Sequence, residues 1–144
     1  MPGPESPVVV DTNVIFSALL RADSPFARIL GNADRTFFVC ESILVELFHH
    51  KERIQRFSRL GEDEVLVVLH QLLRRVHIYR EDAFPARHVA TARELCRDVD
   101  LADAPVVALA LTLDAWLWTG DRALRRGLEQ RGFTSFFDPR SAVE

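Results

Sequence analysis

The stretch Val8-Val9-Val10-Asp11-Thr12-Asn13 decides how the rest of the chain is read. Three β-branched residues in a row, with no polar alternation, describe a strand buried on both faces, as the central strands of parallel sheets are. The run stops at Asp11, and Val14 to Leu20 then has the character of a helix. A buried strand followed at once by a helix opens a β–α–β unit, and here it leaves an aspartate at the carboxyl end of the strand.

The same grammar recurs downstream. Thr36 to Cys40 reads as a second buried strand, with Ser42 expected to cap a helix carrying Ile43, Leu44, Leu47 and Phe48 on one side. Between these two units, Ser24 is expected to cap a short helix that begins at Pro25. Lys51 to Arg59 is strongly basic and helical. Glu62 to Arg75 forms the best-marked helix: Val65, Val68, Leu69, Leu72 and Leu73 make an apolar stripe, acids lead, and Arg74 and Arg75 close it. Val67 lies outside that stripe, so the helix reads either as fully buried or as presenting a docking face. Val76 to Tyr79 is a third strand, and helices follow over about 86–97 and 102–113. Ala115 to Trp118 is a fourth strand, Arg122 to Leu128 a short basic helix, and Phe133 to Phe137 a candidate edge strand. Strands alternating with helices predict an α/β fold with a parallel sheet covered on both faces. Residues 1–7, rich in Pro and Gly, are expected to be disordered, with a single domain over 8–140.

Composition narrows the function classes. A chain of 144 residues that is 48% hydrophobic and 27% charged is neither disordered nor collagen-like. No apolar run reaches the roughly 18 residues of a membrane span, and Met1 to Glu5 lacks a basic signal-peptide start. Cys40 and Cys96 form no C-x-x-C pair, which favours a reduced, cytoplasmic setting. A net charge of −3 argues against a protein that binds polyanions over its whole surface, but not against a nucleic-acid enzyme that brings metal ions to an acidic site. Lys51 is the single lysine among 18 basic residues; arginine is the better bidentate phosphate ligand. Neither a P-loop nor a G-x-G-x-x-G is present, and no G-x-S-x-G marks a hydrolase serine.

The carboxylates are the informative residues. In a parallel sheet, Asp11, Glu46 and Asp121 fall at the same edge, because each follows a strand or lies in the first turns of the helix after one. Asp103 sits in the first turn of its own helix. Such a cluster repels itself unless hard divalent cations neutralise it, and Mg²⁺ and Mn²⁺ prefer oxygen ligands. Each acid also has a purely structural reading. Asp11, Asp100 and Asp121 are all at helix-cap positions, and Glu46 lies just off the apolar arc of its helix. The histidines make no metal pattern: His49 and His50 are adjacent, and His70, His77 and His88 are scattered.

The motifs together resemble those of PIN-domain ribonucleases. Val8 to Ile15 resembles the family's opening strand, and Ser42 to Leu47 its second acidic motif. Asp100 to Leu111 is similar to the third, and Leu117 to Asp121 to the fourth. The likeness runs over about residues 8–137. It implies a three-layer α/β/α sandwich around a central parallel sheet. It also implies catalytic, metal-binding carboxylates at Asp11, Glu46, Asp103 and Asp121, holding Mg²⁺ or Mn²⁺. Thr12 and Asn13 match positions that support the first aspartate, and Asp100 matches an acid often present in the group, either as a helix cap or as a support for a ligand; Thr119 is a further candidate support. The implied activity is endoribonuclease cleavage of RNA phosphodiesters, as the toxin of a toxin–antitoxin pair. The implied partners are RNA and a cognate antitoxin; the extra apolar surface of the Glu62 to Arg75 helix could serve that antitoxin or a second copy of the chain. Arg53, Arg56 and Arg122 are candidate RNA contacts. Two readings compete: a stand-alone nuclease of RNA processing, and a module whose main role is antitoxin or dimer contact. A haloacid-dehalogenase-type phosphotransferase would need a second acid where Asn13 stands.

Overall fold

A computed structural model describes residues 1–21, 25–32 and 34–142. Four parallel strands lie in the order β3-β2-β1-β4: β1 (Val8–Val10), β2 (Phe37–Cys40), β3 (Val76–Tyr79) and β4 (Trp116–Trp118). β1 is paired on both sides, Val8 lying opposite Phe37 and Trp116. The ladder runs on to Asp11, whose N–H donates to the Trp118 carbonyl at 2.9 Å.

Successive strand residues point to opposite faces, and each face has its own core. Val8, Val10, Phe37, Val39 and Trp118 pack into one of them. That face is covered by α1 (Thr12–Leu20), α2 (Pro25–Asn32), α3 (Ser42–His49), α4 (Lys51–Ser58) and α5 (Glu62–Leu73). Val9, Cys40 and Leu117 pack into the other core with α6 (Ala86–Leu95), α7 (Ala104–Leu113) and α8 (Arg122–Gln130). The three-layer sandwich follows from this alternation. α7 is apolar almost all round and buries Val106 to Ala110 directly against the sheet.

From β1 the chain steps outward through β2 to β3, then returns across the sheet to place β4 on the other side of β1. The direction of winding therefore reverses between β1 and β4. In open α/β sheets that reversal opens a crevice beyond the carboxyl ends of the strands, and ligands bind there.

Several local expectations are corrected. Ser42 is the first residue of α3 rather than its cap; Glu41 precedes the helix, and its Oε1 accepts a bond from the Glu81 N–H at 3.0 Å instead of capping. α5 is not fully buried. Only Leu72 is buried along it, while Leu66 and Val67 are 55% and 57% exposed, because the helix lies against its neighbours on one side only. The helix expected from 102 begins as a 3₁₀ turn, Leu101–Asp103, and becomes α-helical at Ala104, where Pro105 fits a first turn that needs no N–H donor. Phe133 to Phe137 does not form a strand. It contributes one parallel bridge, Leu117 to Phe136, because its rings turn inward: Phe133 joins the second core and Phe137 packs at a tilt against Trp118. Residues 1–7, expected to be disordered, are tied to the sheet edge. The Trp116 indole donates to the Gly3 carbonyl at 2.8 Å, and the Trp116 N–H to the Pro7 carbonyl at 3.0 Å. The expected cap at Ser24 lies outside the described residues.

Gly127 lets α8 lie against the loop that leads to Asp100. A Cβ there would sit 2.2 Å from Val99 Cγ2, and valine, stiff at χ1, cannot swing clear. Gly127→Ala, normally worth about 1 kcal/mol of helix stability, is therefore expected to destabilise by about 1–3 kcal/mol. Val99→Ala in the same chain is expected to recover part of the loss in denaturant titrations. A Gly127→Ala protein more stable than the parent would show that α8 does not pack this closely.

Candidate functional site

Asp11 is the innermost acid. It is 9% exposed at the end of β1, where it also begins α1. Its Oδ1 accepts the Thr12 N–H at 2.8 Å, and its Oδ2 accepts the Thr119 hydroxyl at 2.8 Å. Thr119 Oγ1 in turn accepts the Asp121 N–H at 3.1 Å, and Asp121 Oδ1 accepts the Leu124 N–H at 3.1 Å. Asn13 Oδ1 accepts the Gly120 N–H at 3.2 Å. These bonds clamp the turn after β4 onto the turn after β1, so that the carboxylates at 11 and 121 are held by one network. Asp11 and Asp121 are thus helix caps and members of an acidic cluster at once; the two readings do not exclude each other.

Asp11, Glu46 and Asp103 line one cleft of about 160 Å³, together with Thr12, Cys40 and Ser42. Glu46 is exposed at its rim, on the turn of α3 that faces the strand ends. Asp103 lies in the turn before α7 and makes no capping bond. Asp121 and Thr119 line the adjoining groove. Burial raises the Asp11 pKa first, repulsion from Glu46 and Asp121 raises it further, and the Thr119 and Thr12 hydrogen bonds oppose the rise. Asp103 is pushed up to about 7, by burial first and then by Asp11, Asp100, Asp121 and Glu46. These mutual effects place the four acids within one electrostatic field. Asp100 is exposed, and its Oδ1 accepts the Ala102 N–H at 2.9 Å, so it caps the 3₁₀ turn and acts on Asp103 through charge. The Cys40 thiol, buried beside the same carboxylates and Glu81, is pushed up, which keeps it neutral.

The donor set is all oxygen, as Mg²⁺ and Mn²⁺ require and as zinc does not favour. Among the described residues, no three His, Cys, Asp or Glu side chains are grouped closely enough to enclose an ion by themselves.

The PIN-domain sequence pattern matches residues 9–135. The chain belongs to the PIN-domain family. PIN domains are generally nucleases and generally use divalent metals. No curated protein sequence matches the chain. Among solved structures, it is similar in fold to VapBC2 from Rickettsia felis bound to a promoter DNA fragment, at 16% identity, TM-score 0.63, over 83% of this chain and 91% of that one. DNA-bound VapBC from Salmonella typhimurium is 19% identical with TM-score 0.61, over 91% and 95% of the two chains. PAE2754 from Pyrobaculum aerophilum is 14% identical with TM-score 0.61, over 88% and 86%.

Of the candidate RNA contacts in this PIN domain, Arg122 lines the groove beside Asp121, whereas Arg53 and Arg56 are exposed on α4 and line neither cleft. Sequence reasoning missed Ser42 as a cleft residue, and of the second groove it named Thr119, Asp121 and Arg122 but not the aromatic residues. Ser42 carried one signal: it follows a strand end by two residues, as Thr12 does.

The acid cluster should be visible in metal-free protein. Asp103 titrates near 7 in the fold against an ordinary 3.8, so its ionisation weakens the folded state. That penalty is complete above about pH 7, shrinks as pH falls and vanishes below about pH 4. The full gap corresponds to about 4 kcal/mol, which solvent at a half-open cleft cuts to ~1–2 kcal/mol. In chelator, Asp103→Asn is therefore expected to melt higher than the parent at pH 8, with the difference closing toward pH 4. Identical melting at pH 8 would contradict the repulsion.

Proposed function

We propose that this PIN domain is a metal-dependent endoribonuclease that cleaves RNA phosphodiesters, and that it serves as the toxin of a toxin–antitoxin pair. The observation that carries the nuclease reading is the meeting of Asp11, Glu46 and Asp103 in one cleft, with Asp121 tied beside it, at the reversal point of the sheet. A divalent cation held there by Asp11, Asp103, Glu46 and Asp121 would neutralise charge on the phosphate and act as a Lewis acid for in-line attack by water. The chain's own part is positional. Thr12 and Thr119 fix both oxygens of Asp11, so that the carboxylate does not need to reorganise when substrate arrives. Asn13 holds the Gly120 turn in place, and with it Asp121. The expected products carry a 5′ phosphate and a 3′ hydroxyl. RNA loops and other single-stranded segments are the expected targets, since their backbone can enter a narrow cleft.

The likeness in fold to VapBC structures supports the toxin assignment and an antitoxin partner. So does the exposed apolar surface: Val45 and Phe48 on α3 are each 72% exposed, the Lys51 ammonium lies 4.7 Å from the Phe48 ring centroid, and α5 presents Leu66 and Val67. Such a surface suits an amphipathic antitoxin segment or a second copy of the chain. Among the described residues no helix is long and apolar enough to cross a membrane, and a cytoplasmic setting is part of this proposal.

Three neighbouring acids separate ligand from support. Asp98 is exposed and hydrogen-bonded to Arg131, so Asp98→Asn should cleave RNA like the parent. Asp100→Asn keeps the cap and should lose several-fold activity. Asp103→Asn and Asp11→Asn should each lose at least about a hundredfold at saturating Mn²⁺, with the fold intact by circular dichroism. An active Asp11→Asn enzyme, or recovery of only 2′,3′-cyclic phosphate ends, would sink the proposal.

A further inference from the structure

A groove of about 340 Å³ adjoins the acidic cleft and shares Thr119 and Asp121 with the site network. Its floor is aromatic. Trp118 and Phe137 are buried there with ring centroids 5.2 Å apart, and Phe26, only partly buried, leans on Trp118 at 5.8 Å. Its walls carry Arg122, Arg125 and Arg140. Two of these are already engaged: Arg125 pairs with Glu129 at 3.0 Å and lies over the Phe136 ring, and Arg140 pairs with Asp138 at 3.2 Å. Among the described residues Arg122 forms no ion pair, although it directly follows Asp121 and stands at the start of α8. Elsewhere on the chain the acids outnumber the bases, yet here three guanidinium groups meet two carboxylates, Asp121 and Asp138.

We infer that this groove holds one nucleotide of a single-stranded RNA next to the phosphate being cleaved, with its backbone phosphate on Arg122 and its base against Phe26. The assignment rests on the nuclease reading and adds where the strand leaves the acidic cleft. An unpaired guanidinium beside a row of carboxylates matches a phosphate one step along the chain from the reacting one. The volume and the partly open ring suit a single unstacked base, and stacking on an aromatic face is how single strands are held without reading their sequence. A duplex would keep its bases stacked inside the helix and away from Phe26.

The test measures binding rather than cleavage. Fluorescence anisotropy with a short labelled single-stranded RNA is run on the full chain carrying Asp11→Asn, in chelator, over a range of KCl. Arg122→Ala is expected to weaken binding about tenfold and to reduce the slope of log K against log salt by about 0.7. Phe26→Leu keeps the apolar volume but removes the ring, and is expected to weaken binding by about fivefold or more without changing the slope. Arg74→Ala, just beyond α5 at the opposite edge of the sheet, is expected to bind like the parent, and Arg122→Ala and Arg74→Ala are expected to melt like it, while circular dichroism checks that Phe26→Leu, which loses packing on Trp118, stays folded at the assay temperature. Unchanged affinity in both groove variants overturns the assignment, as does a duplex that competes as well as the single strand, or a parent that binds no RNA. A loss for Arg122→Ala with none for Phe26→Leu overturns the base pocket. The nuclease reading fails separately, if Asp11→Asn cleaves like the parent.

Discussion

A nearly buried carboxylate facing other carboxylates is the constraint on which the site depends. Asp11 sits where β1 ends between two neighbours, and water can reach little of it. An acid in that place loses hydration and gains repulsion, and two hydrogen bonds only partly offset both. Folding places it there nonetheless, because the Val8–Val10 strand must be central for both cores to close. The strain is local and has a definite remedy, a positive charge. The same argument covers Asp103, whose pKa burial and its neighbours push up to about 7.

Much of the fold was legible in the sequence because its strands are short and unambiguous. Val8–Val10, Phe37–Cys40 and Trp116–Trp118 are apolar runs closed by polar residues, and parallel pairing follows from the helices between them. What was not legible depended on tertiary context. The apolar residues of α5 fit a buried helix as well as a one-sided one, and only the neighbours decide that Leu66 and Val67 face outward. Phe133 to Phe137 has strand composition, but its rings find more apolar surface by turning into the two cores than by pairing. The amino-terminal residues lack a pattern of their own; Trp116 holds them with its indole and backbone N–H groups.

The site was legible in the same uneven way. Position after a strand pointed to Asp11 and Asp121, and the sheet brings both to the winding reversal. A cap and a place in the acid cluster are compatible: Asp121 accepts the Leu124 N–H and still lies in the field of Asp11 and Asp103. The groove beside it could not be foreseen. Phe26 is far in sequence from Trp118, Arg122 and Phe137, and no periodicity joins the four.

The central claim is that these carboxylates form a divalent-cation site, and anomalous diffraction from crystals soaked in Mn²⁺ tests it most directly. The account predicts a manganese peak bonded to Asp11 and Asp103, with Glu46 and Asp121 close enough to share it directly or through water. A peak located elsewhere, or no peak with Asp11 and Asp103 remaining apart in saturating Mn²⁺, would contradict it.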